Sequence, residues 1–144
     1  LRAPTSPDPE ADQGHHSFRY ALLPHMSGPQ AGGVIEEGYR FNQPMLVFPT
    51  DAEIGHKSFF QLNSPAMILD TVKKAEDSND LIVRMYESRG TRGKTQFHTS
   101  LPIKNVKRVN LLEEEISEPG DLIKEGGVEF NFHPFEIISF KLSL

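Results

Sequence analysis

The 144-residue chain contains no cysteine, which excludes disulfides and thiolate metal sites. No asparagine is followed two residues on by Ser or Thr; Asn63-Ser64 runs into Pro65. Both absences fit a reducing, unglycosylated compartment, so a cytoplasmic location is expected. No apolar run approaches the ~18 residues of a membrane span, and no membrane partner is expected. Leu1-Arg2-Ala3-Pro4 lacks the apolar centre of a signal peptide and the chain does not start with Met, so a start inside a longer polypeptide is expected. The net charge of −5 offers no basic excess, which argues against a nucleic-acid partner. There is no internal repeat and no long low-complexity tract. A chain of this length buries roughly 68–70% of its unfolded surface, enough for a real core.

What is present is mostly strand patterning. In the last fifteen residues Phe130 and Phe132 alternate with Asn131 and His133. Ile138, Phe140, Leu142 and Leu144 then alternate with Ser139, Lys141 and Ser143. Period two marks a strand with one buried and one wet face, the serines falling on the wet one. Further strands are expected at 59–62, 66–72, 81–87, 95–101, 106–112, 122–123 and 128–132, with a short apolar run at 45–48. Asp77-Ser78-Asn79-Asp80, Ser88-Arg89-Gly90, Pro119-Gly120 and Gly126-Gly127 separate them as turns. Short strands at about ten-residue spacing indicate an antiparallel β-sandwich.

The beginning is different. Residues 4–14 are rich in Pro, Asp and Gly and read as loop; Phe18, Tyr20 and Leu22 share a face, so 16–23 reads as a strand. Residues 30–42 carry Val34, Ile35, Tyr39 and Phe41 near helical spacing, with a Glu36–Arg40 pair one turn apart and Pro44 as a stop. The expected fold class is therefore mainly β, an antiparallel sandwich with one short helix near the N-terminus. Residues 1–50 read as the tail of an upstream β domain and 51–144 as the sandwich itself.

Several local motifs resemble, in order, the end of the class II α-mannosidases of glycoside hydrolase family 38. They include Leu1-Arg2-Ala3-Pro4 with Pro7-Asp8 and Asp12-Gln13-Gly14, the run from His16 through Pro24-His25, and Asn42-Gln43-Pro44. Further along stand Val72-Lys73 with Ala75-Glu76-Asp77, then Arg84, Tyr86-Glu87 and Gly90, then Asn110-Leu111-Leu112-Glu113 and Pro134-Phe135-Glu136-Ile137. The ordered set spans essentially the whole chain and is similar to the cytosolic-type branch rather than the Golgi or lysosomal ones. The resemblance implies a non-catalytic C-terminal β domain of a retaining α-mannosidase that removes terminal mannose from oligosaccharides. Its partners would be the N-terminal catalytic and helical domains of the same polypeptide. Zinc and the nucleophilic aspartate belong, by the same resemblance, to the catalytic part. No catalytic, cofactor-binding or metal-binding residue carries over to a position in this sequence. The alternative is a free-standing β-sandwich module that binds carbohydrate or protein.

The residues themselves suggest little chemistry. Retaining glycoside hydrolysis needs two carboxyls about 5–5.5 Å apart on rigid supports. Asp8, Glu10 and Asp12 lie in a Pro-rich loop and read as solvated charges. Asp12, His15 and His16 are the one cluster with metal-ligand character, but neighbouring strand histidines point to opposite faces and zinc needs three converging ligands. His25 reads as a strand-end residue, and His56, His98 and His133 are scattered. Glu113-Glu114-Glu115 with Glu118 and Asp121 read as a solvated acidic loop. Lys73-Lys74, Lys104, Lys107 and Arg108 lack the interleaved aromatics of a nucleic-acid surface. Arg84 is expected to stack on Tyr86. Phe59, Phe60, Tyr86, Phe97 and Phe130 are expected in the core.

Overall fold

The computed structural model describes residues 6, 8–10, 13–53, 55–117, 122–124 and 126–144. The chain divides into two compact units, residues 1–34 and 35–144.

In the first unit, residues 15–25 run without a ladder, and Phe18, Tyr20 and Leu22 are exposed. The strand expected at 16–23 is not formed. Alternation creates an apolar face, but a strand also needs a neighbouring backbone to accept and donate its hydrogen bonds. A succession of turns follows, with Gly32 N donating to Gly28 O at 2.8 Å and Val34 N to Pro29 O at 3.1 Å.

The helix α1 covers Val34–Asn42, four residues shorter at its start than the apolar spacing suggests. Gly33 sits at φ +71°, a left-handed conformation that no α-helix can contain. Within α1, Arg40 pairs with Glu37, one residue from the expected partner. Glu36 instead accepts from Arg89 Nη2 at 2.8 Å. After Pro44, residues 45–48 form no strand, and Met45, Leu46, Val47 and Phe48 are 76–90% exposed.

The sandwich follows. Its strands are β1 (Phe60–Leu62), β2 (Met67–Lys74), β3 (Leu81–Glu87), β4 (Gly93–Thr99), β5 (Asn105–Val109), β6 (Leu122–Lys124), β7 (Gly127–Phe132) and β8 (Ile137–Ser143). They form two four-stranded sheets, ordered β1-β4-β7-β6 and β2-β3-β8-β5, with every pairing antiparallel. The alternation seen in the sequence places Val83, Met85, Ile138, Phe140 and Leu142 of the second sheet against Phe97, Val128, Phe130 and Phe132 of the first. Phe140 joins the layers through ring contacts with Phe97 at 6.5 Å and Phe130 at 5.2 Å between centroids. Such pairs add about 0.5–1.5 kcal/mol beyond the burial of their area. Gly127 lies opposite His98 in the ladder, and a Cβ there would stand 1.9 Å from the Phe97 carbonyl oxygen, so the close approach of β7 to β4 demands glycine.

The outer face of the second sheet is not wet, as the serine alternation suggested. Ser139 is 2% exposed and its Oγ accepts from Arg84 Nε at 3.1 Å, directly across the β3–β8 ladder. Leu144 lies beyond the strand and is exposed rather than in the core. Phe140→Ala should cost about 3–5 kcal/mol, the range for a buried Phe. Ser139→Ala should cost about 1 kcal/mol, the worth of one side-chain hydrogen bond, and not the near-zero of an open surface serine. Urea melts of both variants check the assignment; a larger loss for Ser139→Ala would mean that the faces of β8 are reversed.

Candidate functional site

The most concentrated polar geometry lies where β3 ends. Glu87 occupies an inward position and is 0% exposed. Its Oε1 accepts from Arg89 N at 2.9 Å, Thr91 N at 3.0 Å and Thr91 Oγ1 at 2.9 Å. Its Oε2 accepts from Gly90 N at 2.8 Å and Phe135 N at 2.9 Å. Burial alone would raise the carboxyl pKa, but the N–H groups of Phe135, Thr91 and Arg89 and the Thr91 hydroxyl outweigh it and bring the value down to about 2. Gly90 (φ +70°) and Phe135 (φ 59°) both adopt left-handed backbone to aim their N–H groups at this carboxylate. For Phe135 that conformation is strained, and the charge-assisted hydrogen bond offsets the strain. The neighbouring Glu136 accepts from Arg108 Nη2 at 2.7 Å and from His133 N at 2.8 Å.

Beside Glu87 runs a groove of about 410 Å³, bordered by Ile35, Asp70, Arg84, Tyr86, Phe135 and Ile137. Its polar groups already satisfy one another. Tyr39 OH donates to Asp70 Oδ1 at 3.1 Å and lies 3.0 Å from Tyr86 OH; these contacts, Tyr86 first, and partial burial raise the Tyr39 pKa. Arg84 bonds to Ser139 rather than stacking on Tyr86 as expected. A carboxylate held near pKa 2 with five donors is no base at neutral pH, and a phenol with a raised pKa is no nucleophile. The arrangement therefore holds structure together.

The other residues singled out in the sequence are dispersed. Asp8 and Glu10 are exposed, with Glu10 N donating to Asp8 Oδ1 at 3.0 Å in a local turn. Asp12, Glu118 and Asp121 lie outside the described residues. His15, His16 and His56 are exposed; His25 Nδ1 meets Ser27 O, and His133 Nδ1 lies 3.2 Å from Glu136. Among the described residues, no three His, Asp or Glu side chains converge to hold a metal ion. Of the basic residues singled out, Lys74 is exposed and the others contact their own chain. Lys73 pairs with Glu76 and Glu113, Lys107 with Glu115, and Lys104 Nζ donates to Leu144 O at 2.8 Å. Glu113 departs from the solvated loop expected for it. Its side chain is 7% exposed, and Glu76 N and Lys73 lower its pKa.

The aromatic residues divide differently from the expectation. Phe97 and Phe130 are fully buried, Phe60 packs against the core, and Tyr86 is on the outer face. Phe59 is 46% exposed, with Lys57 Nζ 5.1 Å from its ring centroid. It borders a second groove, of about 350 Å³, along β1 and β4.

The Glu87 geometry makes stability pH-dependent with a defined sign. The folded pKa of about 2 lies below the ordinary 4.5, so the contribution is complete above about pH 4.5 and is lost as pH falls through about 2. Glu87→Gln should cost about 2–4 kcal/mol at pH 7, because an amide cannot accept from all these donors. The gap between the two proteins in urea melts should narrow between pH 4.5 and 2. A gap that stays constant over that range would remove the carboxylate charge from this role.

Among the described residues, no helix is long and apolar enough to cross a membrane. Residues 66–140 match the sequence profile of the glycosyl hydrolases family 38 C-terminal beta sandwich domain. Over 149 aligned residues the chain is 37% identical to alpha-mannosidase 2C1 of Homo sapiens, covering 100% of this chain and 14% of that protein. Alpha-mannosidase G of Dictyostelium discoideum is 36% identical over 149 residues, covering 98% and 14%. Alpha-mannosidase of Saccharomyces cerevisiae is 26% identical over 164 residues, covering 99% and 15%. The chain thus spans 14–15% of the length of these relatives. With a two-sheet antiparallel sandwich over the matched residues, the chain belongs to glycosyl hydrolase family 38, and residues 66–140 are its C-terminal β-sandwich domain.

Proposed function

We propose that this chain serves as the non-catalytic C-terminal β region of a retaining α-mannosidase that releases terminal mannose from oligosaccharides, and that it supports the catalytic domain. The observation that carries this reading is the match of residues 66–140 to the family's C-terminal sandwich, in a chain that spans 14% of its alpha-mannosidase relatives. Zinc would then be held by the catalytic part of the longer polypeptide, and the partners would be its catalytic and helical domains. Residues 1–50 would close an upstream β domain, with 51–144 as the terminal sandwich. The resemblance to the cytosolic-type branch and the lack of cysteine support a cytoplasmic setting. The second reading, a separate carbohydrate-binding module, is favoured by the groove beside Phe59.

The chain alone should not turn over a chromogenic α-mannoside, with or without added zinc. After dialysis, elemental analysis should find far less than one zinc per chain. Turnover that tracks the purified chain, or one retained zinc, would refute the reading.

Residues 45–48 and the face of Phe18, Tyr20 and Leu22 leave large apolar side chains exposed, a liability that a partner domain would cover. A chain beginning at Asp51 should therefore be more soluble than the full 144 residues. Equal or lower solubility, with slow amide exchange before Pro49 in the full chain, would count against the division at residue 50.

A further inference from the structure

We infer that the groove along β1 and β4 is a binding site for one neutral hexose ring. Gln61 of β1 stands directly opposite His98 of β4, on the face turned away from the core. Phe59, at the end of β1, offers an exposed ring, and Asn63 continues the polar wall beyond the strand. Among the described residues, the side chains of Gln61, Asn63 and His98 make no hydrogen bond within the chain. Two primary amides and an imidazole, each able to donate and accept, match the vicinal hydroxyls of a sugar, which also do both. The ring beside them matches the apolar C–H face of a pyranose. One aromatic platform with a few convergent neutral polar groups is the chemistry of a carbohydrate subsite.

The backbone frame is fixed without a ligand. Ser100 N donates to Phe59 O at 3.1 Å and Ser100 Oγ to Ser58 O at 3.2 Å. Ser58 Oγ donates to Phe60 O at 3.0 Å, and Asn63 N to Gln96 O at 3.1 Å. A preformed wall lowers the ordering cost of binding. The volume of about 350 Å³ takes a single ring and leaves its substituents in water. The lining has no carboxylate, which disfavours a divalent cation. Lys57, over Phe59, is a single cation where a phosphate site would bring several charge-assisted donors.

The inference does not depend on the α-mannosidase reading, because binding at a sheet face needs no catalytic domain. The test is saturation-transfer NMR on the full chain with methyl α-mannopyranoside, methyl α-glucopyranoside and methyl β-galactopyranoside. At least one hexoside should bind saturably, with a Kd on the order of millimolar, as expected of a small ligand with one stacking surface. Phe59→Ala should weaken binding about 10-fold or more, and Gln61→Ala about 3-fold. Both side chains are exposed, so both variants should fold. Lys94→Ala, at the other end of β4, should bind as the parent does. Absence of saturable binding by every hexoside at about 50 mM, or undiminished binding by Phe59→Ala, overturns the inference. Displacement of the hexoside by inorganic phosphate at similar concentration also overturns it, by assigning the groove to an anion.

Discussion

The structure depends on one buried carboxylate. The chain crosses from the second sheet to the first between β3 and β4, and returns between β7 and β8. Glu87 stands at the first crossing and collects N–H groups from both, those of Arg89, Gly90 and Thr91 on one side and of Phe135 on the other. An unpaired carboxylate in this position would cost several kcal/mol, so the loops must present their donors together or the sandwich end cannot close. The backbone reinforces the arrangement: Glu87 N donates to Glu136 O at 3.0 Å and Ser88 N to Ala66 O at 2.8 Å. From Glu136 the network continues to Arg108 on β5, so three strands of the second sheet are tied to one sandwich end. The apolar core gives the sheets a reason to meet, and the carboxylate fixes how their ends are joined.

The strands of this sandwich were legible because their core-facing apolar residues recur with period two. The bounds of β3 were read correctly to the residue, since an apolar run is closed by Asp80 on one side and Ser88-Arg89-Gly90 on the other. What the pattern could not carry was the state of the far face. Ser139 looked wet because serine is polar, yet Arg84, α1 and the loop after β5 give that face polar partners instead of water. The same limit concealed Glu113. An acidic triplet reads as solvated, but a left-handed turn at φ 68° carries one of the three back onto Glu76 N and Lys73. Local composition does not encode such long-range returns.

Glu87 shows where a resemblance and a physical reading supplement each other. The sequence contains Tyr86-Glu87 and Gly90 in one motif and Pro134-Phe135-Glu136 in another, more than 40 residues apart. Each alone is unremarkable. Only the fold shows that the first motif supplies the acceptor and the second a donor from a strained phenylalanine. A glutamate at a strand end followed by a Gly turn was the available clue, since a carboxylate there can cap the turn's free N–H groups. Phe59 was misplaced for a simpler reason. It adjoins Phe60, and of two consecutive aromatics at a strand start only one can face the core.

A strand pattern is therefore an incomplete instruction, and this chain contains both outcomes. Ile138, Phe140 and Leu142 find β3 on one side, β5 on the other and the side chains of Phe97, Val128, Phe130 and Phe132 beneath, so alternation becomes β8. Phe18, Tyr20 and Leu22 have equal alternation and comparable side chains, and residues 45–48 are as apolar as any strand of the sandwich. Among the described residues neither run meets a ladder partner, and both stay exposed. The difference does not lie in propensity, which favours aromatic and β-branched residues in every one of these runs. It lies in whether a backbone edge is offered. Apolar faces that alternate correctly but meet no edge stay as exposed extended chain, which is why alternation alone marks a candidate strand and pairing makes one.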